Sequence, residues 1–327
     1  MIRRIRHWPA ELTFSFLMVA SMLMFSAAFG LPIRLPGAQG AAFVGVHYVF
    51  PLIGVLVWGL CASLNGRRDL VPTFACALAC YVTVLWVHFN LKLWAPLVNP
   101  TTYDALFWQT DQFARPLVDF SRWARTAMLP AIPHETNLYM LGFIGMFYAS
   151  FCYFALRRPD KFRRLFLAAL LIQGLGGLSY LMMPALGPFL YEPSVNPLAQ
   201  QSQQHMLEVH QMLVARGASW LSDNGSDNLM TGLGAMPSLH TGCSFVFLWF
   251  AYRYGRILLL PFGLMFGFIL VTAVADRWHY LIDLPAGILL AAFSIYLSGR
   301  LAGEKKGRET ESVAESPDTS LAGIVAA

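Results

Sequence analysis

The stretch VPTFACALACYVTVLWVHFNLKLWA at residues 71–95 contains one charged side chain, Lys92. A hydrocarbon layer about 30 Å thick is crossed by roughly 20 helical residues, so this stretch is long enough to span a membrane. Seven further apolar runs of similar character lie at about residues 12–31, 42–62, 138–156, 165–186, 237–252, 257–275 and 281–299. The sequence therefore predicts an all-α, polytopic transmembrane helical bundle of about eight spans.

The composition supports this prediction. Hydrophobic residues make up 57% of the 327 residues and charged residues only 13%, about half the charged share of an ordinary soluble domain. The net charge of +5 does not indicate a nucleic-acid partner, because the basic residues lie between the apolar runs. The cysteines lie inside those runs without metal-type spacing, so we expect buried thiols and no disulfides. They are Cys61, Cys76, Cys80, Cys152 and Cys243.

The basic residues also predict the orientation. Most of the 23 Lys and Arg residues lie in residues 1–11, 63–70, 157–164, 253–256 and from residue 300 onward. Positive residues accumulate on the cytoplasmic side of a membrane, so these segments are predicted to be cytoplasmic. The polar tail, residues 300–327, is expected to be disordered. The first run could be a cleaved signal peptide, but its length favours an uncleaved span.

The transmembrane domain is then residues 12–299, with a core at about 138–299 and long outer loops at 96–137 and 187–235. Aromatic residues in the first loop predict short helices at the membrane interface, with Asp104 and Asp111 on one polar helix face. Asp223–Asn228 lacks the closing glutamate of a calcium loop, so it is predicted to be a turn-rich loop. His134, His205 and His210 are placed in loops, and His47 and His88 are expected to be ordinary polar residues.

Two motifs concentrate the chemistry. Residues 234–240, GAMPSLH, open the sixth span, and residues 276–283, DRWHYLID, open the eighth. The predicted orientation places both on the outer side, separated by two crossings. Placing an ionisable residue next to the hydrocarbon layer costs free energy, so such residues at span ends are candidates for a functional role. The two motifs can therefore meet in one pocket.

The residues of these motifs suit phosphate chemistry. Pro237 is suited to a first helical turn, whose free amides, together with the Ser238 hydroxyl, could hold a phosphate oxygen. His240 could then reach a leaving oxygen. His279 and Asp283 are four residues apart, so the carboxylate can orient the imidazole and leave its other nitrogen nucleophilic. This chemistry needs no metal or cofactor.

These residues resemble the type 2 phosphatidic acid phosphatase superfamily, in particular its branch similar to inositol phosphorylceramide synthase. PSLH at residues 237–240 resembles the second signature of the superfamily. HYLID at residues 279–283, followed by Gly287, resembles the third, and YLMMPALGP at residues 180–188 resembles the first signature of that branch. The likeness covers roughly residues 180–299.

The resemblance implies a phosphohistidine mechanism without a metal. His279 would attack phosphorus, Asp283 would orient it, and His240 would protonate the departing alcohol. The lysine and arginine of the broad first signature are missing, and Ala273 replaces the arginine usually found six residues before the nucleophile. Arg277, helped by Arg216, is therefore predicted to neutralise the phosphate, with Ser238 as a further ligand.

The predicted function is that of a phosphatase or phosphotransferase for a phospholipid, polyprenyl phosphate or sphingolipid phosphate. Its site would face the periplasm of a bacterial inner membrane, or the lumen in a eukaryote. A transporter is disfavoured because no inverted repeat is visible, and a serine hydrolase because no GxSxG motif occurs. A transporter or a non-catalytic membrane protein stays open as an alternative, as do the choice between hydrolysis and transfer and the oligomeric state.

Overall fold

A computed structural model describes residues 9–303, which fold into helices joined by short turns, with no strand among them. Most of the predicted cytoplasmic N-terminus and the polar tail from residue 304 lie outside the described residues. Residues 45–49 form a π-helical turn that joins the second and third helices. The α-helices are α1 Ala10–Phe29, α2 Ala38–Val44, α3 Phe50–Leu64, α4 Leu70–Val98, α5 Asp104–Phe113, α6 Arg115–Met128, α7 Leu138–Arg157, α8 Pro159–Met182, α9 Pro197–Asn224, α10 Leu239–Tyr254, α11 Leu259–Ala275 and α12 Asp283–Leu301.

The predicted helical bundle is confirmed, and the chain is an integral membrane protein. Among the described residues, seven helical segments are long and apolar enough to cross a membrane. The eighth predicted span corresponds to α10, which has 16 residues and so is about 24 Å long. Helix α10 is short because Ser238 caps its start and Gly255 follows its end. It packs against α7, α8, α11 and α12.

Helix α8 forms the centre of the bundle. It is the most buried of the candidate spans and packs most extensively against α4. Phe162 and Phe166 of α8 and Phe151 of α7 form a cluster of aromatic rings with centroids 5.9 to 6.4 Å apart. Such contacts fix the helices laterally, because van der Waals packing replaces the hydrophobic effect between helices in lipid. The five cysteines are free thiols, but only Cys80 and Cys243 are buried as expected, and Cys61 is exposed.

The segments predicted as outer loops are more ordered than expected. Residues 104–128 form the two short helices α5 and α6, with Phe113, Phe120 and Trp123 exposed, which agrees with the prediction of short helices in this segment. The second segment, however, contains α9, a helix of 28 residues that kinks at Gly217, where φ is 58°. His205 and His210 therefore lie on a helix and not in a loop. Residues after Asn224 form turns, as predicted.

Candidate active site

The two motifs are joined where α10 crosses α12. The backbone amide of Ser238 donates to the carbonyl oxygen of Asp283 over 3.1 Å. A Cβ atom at Gly287 would lie 2.3 Å from the Ser238 carbonyl oxygen, and one at Gly242 would lie 2.8 Å from the Gly287 carbonyl oxygen. Only glycine permits backbones to approach this closely. The crossing therefore places the beginnings of α10 and α12 side by side.

The start of α10 differs from the prediction. Pro237 precedes the helix, and Ser238 is its N-cap residue. The Ser238 hydroxyl accepts from the Thr241 amide and donates to the Thr241 hydroxyl over 3.0 Å. Ser238 is fully buried and does not line the cavity described below. Its hydroxyl thus satisfies the helix end, which is a different position from the predicted phosphate ligand.

The ring of His279 is held in one tautomer. Its Nδ1 lies 2.8 Å from the carbonyl oxygen of Ala235 and 3.3 Å from Oδ2 of Asp283. A carbonyl oxygen only accepts hydrogen bonds, so Nδ1 carries the proton and Nε2 keeps a free electron pair. Asp283 Oδ2 also accepts from the backbone amide of Tyr280 over 2.9 Å. Asp283 contacts the ring as predicted, but the nearer acceptor is Ala235.

The environment of His279 keeps the imidazole neutral. Burial, followed by the charge of Lys92, lowers the pKa of His279 to about 3, although the Ala235 carbonyl acts in the opposite direction. A neutral imidazole with a free Nε2 is the form that can act as a nucleophile. The structure therefore supplies the protonation state that the predicted mechanism requires.

Both histidines line one cavity of about 660 Å³ between the helices. The ring of His240 lies between Tyr139 and Phe143, with centroid distances of 5.1 and 4.8 Å. Apolar side chains from α2, α4, α7 and α11 line much of the remaining wall. A cavity of this size can hold a phosphorylated headgroup together with part of its apolar chain.

Residues 135–297 match the family model of the PAP2 superfamily. This PAP2 region runs from the turn before α7 into α12 and contains His240, His279 and Asp283. It confirms the predicted resemblance at the level of the superfamily and extends it towards the N-terminus. The predicted branch stays a prediction. No curated protein and no solved structure matches the chain.

The predicted phosphate-binding arginines of the PAP2 region do not line the cavity. Arg277 is fully buried, with Nη2 3.3 Å from Asp111 Oδ2 and 3.4 Å from Glu192 Oε2. Its guanidinium also lies 5.5 Å from the centre of the Trp108 ring. Arg216 is exposed on α9. The structure thus brings His240, His279 and Asp283 together, but it places Arg277 in an ion-paired cluster beside them and Arg216 elsewhere.

Two other cations line the cavity, and both come from outside the PAP2 region. The Lys92 ammonium on α4 lies 4.9 Å from the centre of the Tyr180 ring. Within residues 9–303, no carboxylate pairs with it. Arg125 on α6 donates to the Ile132 carbonyl and to Nδ1 of His134. Sequence reasoning missed both residues, and a lysine inside the apolar run at 71–95 was the available signal.

Helix α5 covers the site through two buried aspartates. Asp104 accepts from the amides of Leu186 and Gly187 and from the Tyr280 hydroxyl, over 2.8 to 3.1 Å. Asp111 accepts from the amide of Leu281 over 2.8 Å and pairs with Arg277. Both aspartates lie on one helix, α5, as predicted, but they are buried and do not form a solvent-facing polar surface. Their burial is compensated, because Asp104 satisfies amides of the loop after α8 and Asp111 satisfies an amide of the loop before α12.

Proposed function

We propose that this chain is a membrane-embedded phosphatase or phosphotransferase of the PAP2 superfamily that acts through a phosphohistidine on His279. One observation carries the proposal: His240 and His279 line a single cavity, and the hydrogen bond from His279 Nδ1 to Ala235 leaves Nε2 free as a nucleophile. The PAP2 match over residues 135–297 supports the reaction class.

In the first step, the electron pair of His279 Nε2 attacks phosphorus and the bond between phosphorus and the alcohol oxygen breaks. His240 gives its proton to that oxygen, so a neutral alcohol departs. Asp283 stabilises the positive charge that develops on the imidazole, because its Oδ2 lies 3.3 Å from Nδ1. In the second step, water or another alcohol attacks phosphorus, the N–P bond breaks, and His240 takes the proton of the incoming hydroxyl.

The phosphate oxygens carry negative charge that the site must balance. Lys92 is the best placed group, because it lines the cavity, has no carboxylate partner within residues 9–303, and its charge already acts on His279. Arg277 contributes less, since Asp111 and Glu192 neutralise it. We therefore assign the role predicted for Arg277 and Arg216 mainly to Lys92.

The substrate is proposed to be a lipid phosphate, either a phospholipid or a polyprenyl or sphingolipid phosphate. The cavity lies inside an apolar bundle, so an acyl or prenyl chain can enter between helices while the phosphate reaches His279. The distribution of basic residues supports a site on the periplasmic side of a bacterial inner membrane. The likeness of residues 180–188 to the phosphotransferase branch favours transfer over hydrolysis.

The test is to trap the intermediate. Purified full-length protein in detergent is mixed with phosphatidic acid labelled with ³²P in its phosphate, quenched in base and separated from lipid. We expect base-stable, acid-labile label on the protein and release of phosphate, both lost in His279→Ala. His47→Ala is the matched control, since His47 Nδ1 donates to the Phe43 carbonyl oxygen four residues earlier and the ring does not line the cavity. Phosphate release by His279→Ala at the wild-type rate would exclude the mechanism.

A further inference from the structure

Among the described residues, four cations surround the ring of Tyr254 at the end of α10. Their charged groups lie 5.0 to 6.0 Å from the ring centre, and they belong to Arg158, Lys161, Arg164 and Arg253. Arg164 also donates to the Tyr254 hydroxyl over 2.9 Å, and Arg158 donates to the Tyr254 carbonyl oxygen over 3.3 Å. Charges gathered around one ring repel one another, because their separations are comparable to the Debye length of about 10 Å.

This end of the bundle has a surplus of positive charge. Residues 157–164 and 253–256 contain seven lysines and arginines and one acidic residue, Asp160. Asp160 pairs with Arg158, and Glu11 of α1 pairs with Arg163. Seven positive charges against these two negative ones leave a formal surplus of five. An anion is therefore attracted to this end of the bundle.

The cluster is built into the packing of the helices. Positive residues accumulate at one face of most polytopic proteins, but a side chain that serves only that trend can extend into water. Arg164 is instead only 7% exposed. Its guanidinium lies 5.1 Å from the centre of the Trp249 ring of α10, and a Cβ atom at Gly299 of α12 would lie 3.1 Å from its Nη2. The positive charge is thus fixed between α8, α10 and α12.

The surroundings of the cluster indicate the ligand. Grouped arginine and lysine donors suit a phosphate, because its several oxygens can accept from several donors at once. The cluster lies where membrane-spanning helices end, which is the level of lipid headgroups. Apolar side chains next to its cations in the chain are exposed, namely Leu156 at 49%, Tyr252 at 58% and Ile257 at 77%. Positive charge beside exposed apolar surface matches an anionic phospholipid.

We propose that Arg158, Lys161, Arg164 and Arg253 form a binding site for the phosphate of an anionic phospholipid. The site lies at the end of α10 opposite to His240, roughly 20 Å away along the helix axis. It is separate from the catalytic cavity and does not depend on the proposed function. The bound lipid neutralises part of the positive surplus and stabilises the folded bundle, because it binds only the folded chain.

The test follows thermal unfolding of the purified full chain in neutral detergent by tryptophan fluorescence as lipid is added. Dioleoyl phosphatidylglycerol is the anionic lipid, dioleoyl phosphatidylcholine has the same tails without net charge, and inorganic phosphate is an anion without tails. The double variant combines Lys161→Gln with Arg253→Gln. Its matched control combines Arg67→Gln with Arg68→Gln, which removes two exposed charges from the turn between α3 and α4, at the same end of the bundle. Both leave the catalytic cavity unchanged, so lipid bound there affects both alike.

We expect phosphatidylglycerol to raise the unfolding temperature, and the double variant to need about 30-fold more lipid than the wild type for half of that effect. One cation at a membrane surface contributes about 1 kcal/mol to the attraction of anionic lipid, so either single substitution should require about fivefold more. The control should keep the wild-type value.

Three results would overturn the site. Equal changes in the double variant and the control would show that only the general surface charge matters. Equal stabilisation of the wild type by phosphatidylcholine would show an effect of the acyl chains alone. Equal stabilisation by inorganic phosphate would show a site for free anions and not for a lipid.

Discussion

The backbone amide of Ser238 lies 3.1 Å from the carbonyl oxygen of Asp283, and this hydrogen bond joins the first turns of two helices. Helix α10 presents His240 and the loop before α12 presents His279, so their relative position depends on this crossing. The crossing in turn depends on Gly287, because the Ser238 carbonyl occupies the space that a side chain would need. The geometry of the site is therefore set by backbone contact between helices.

Gly287→Ala is expected to disturb that crossing. Its Cβ atom would lie 2.3 Å from a backbone oxygen, so α10 and α12 must separate. Overpacking of this kind costs about 1–3 kcal/mol and should displace His240 from His279. Thermal unfolding in detergent and phosphate release measure the two effects. Gly267→Ala on α11 is the control, because nothing lies within 4 Å of its added methyl group; equal behaviour of the two variants would contradict the contact.

His240→Ala tests the role of His240 as the acid. An alkyl alcohol is a poor leaving group and needs a proton, so its release should fall by about 10²–10⁴-fold. Nitrophenolate leaves without a proton, so cleavage of p-nitrophenyl phosphate should fall less than about tenfold. The ratio of the two rates is the measurement. His279→Ala provides the comparison, since loss of the nucleophile should lower both rates alike. If His240→Ala lowered the two cleavage rates equally, His240 would have a role other than that of the acid.

The sequence was sufficient to predict the helical bundle and the pairing of the two motifs. Apolar runs long enough to span a membrane are local features, and the spacing of His279 and Asp283 on the chain is local as well. The basic residues gave an orientation that put both motifs on one side, from which their proximity followed. The structure agrees, with both histidines on one cavity.

The contacts made between distant segments could not be predicted. The backbone carbonyl of Ala235 holds the ring of His279. Every residue has such a carbonyl, so the identity of residue 235 does not predict this contact. Asp104 and Asp111 have the spacing of an exposed helix face, and only the fold shows that they accept from buried amides. Arg277 was assigned to phosphate as the nearest cation in sequence. Its αL backbone, with φ of 57°, and its pairing with Asp111 direct it elsewhere.

Lys92→Met is expected to weaken catalysis by removing the cation that faces the phosphate. The loss of one such charge lowers kcat/KM by about 10²–10³-fold, while stability should not fall because Lys92 has no carboxylate partner within the described residues. Lys92→Arg should restore part of the activity, since it keeps the charge. Arg216→Met is the control and should retain wild-type kcat/KM, because Arg216 is exposed and does not line the cavity. A larger loss of kcat/KM in Arg216→Met than in Lys92→Met would favour the original assignment to Arg216.

The pH dependence should report the buried state of His279. Its pKa is lowered to about 3 by burial and by Lys92, so the ring stays neutral as the pH falls from 7 to 5. A p-nitrophenyl phosphodiester is a suitable substrate, because its charge does not change over this range and its leaving group needs no acid. We expect kcat/KM to change less than about twofold between pH 7 and 5, whereas an ordinary histidine pKa near 6.5 would give a fall of about 25-fold.

Lys92→Met should move the acidic decline of kcat/KM to higher pH, since it removes one cause of the low pKa of His279. His47→Ala should leave the profile unchanged, and a wild-type limb near pH 6.5 would show that the nucleophile is exposed to water.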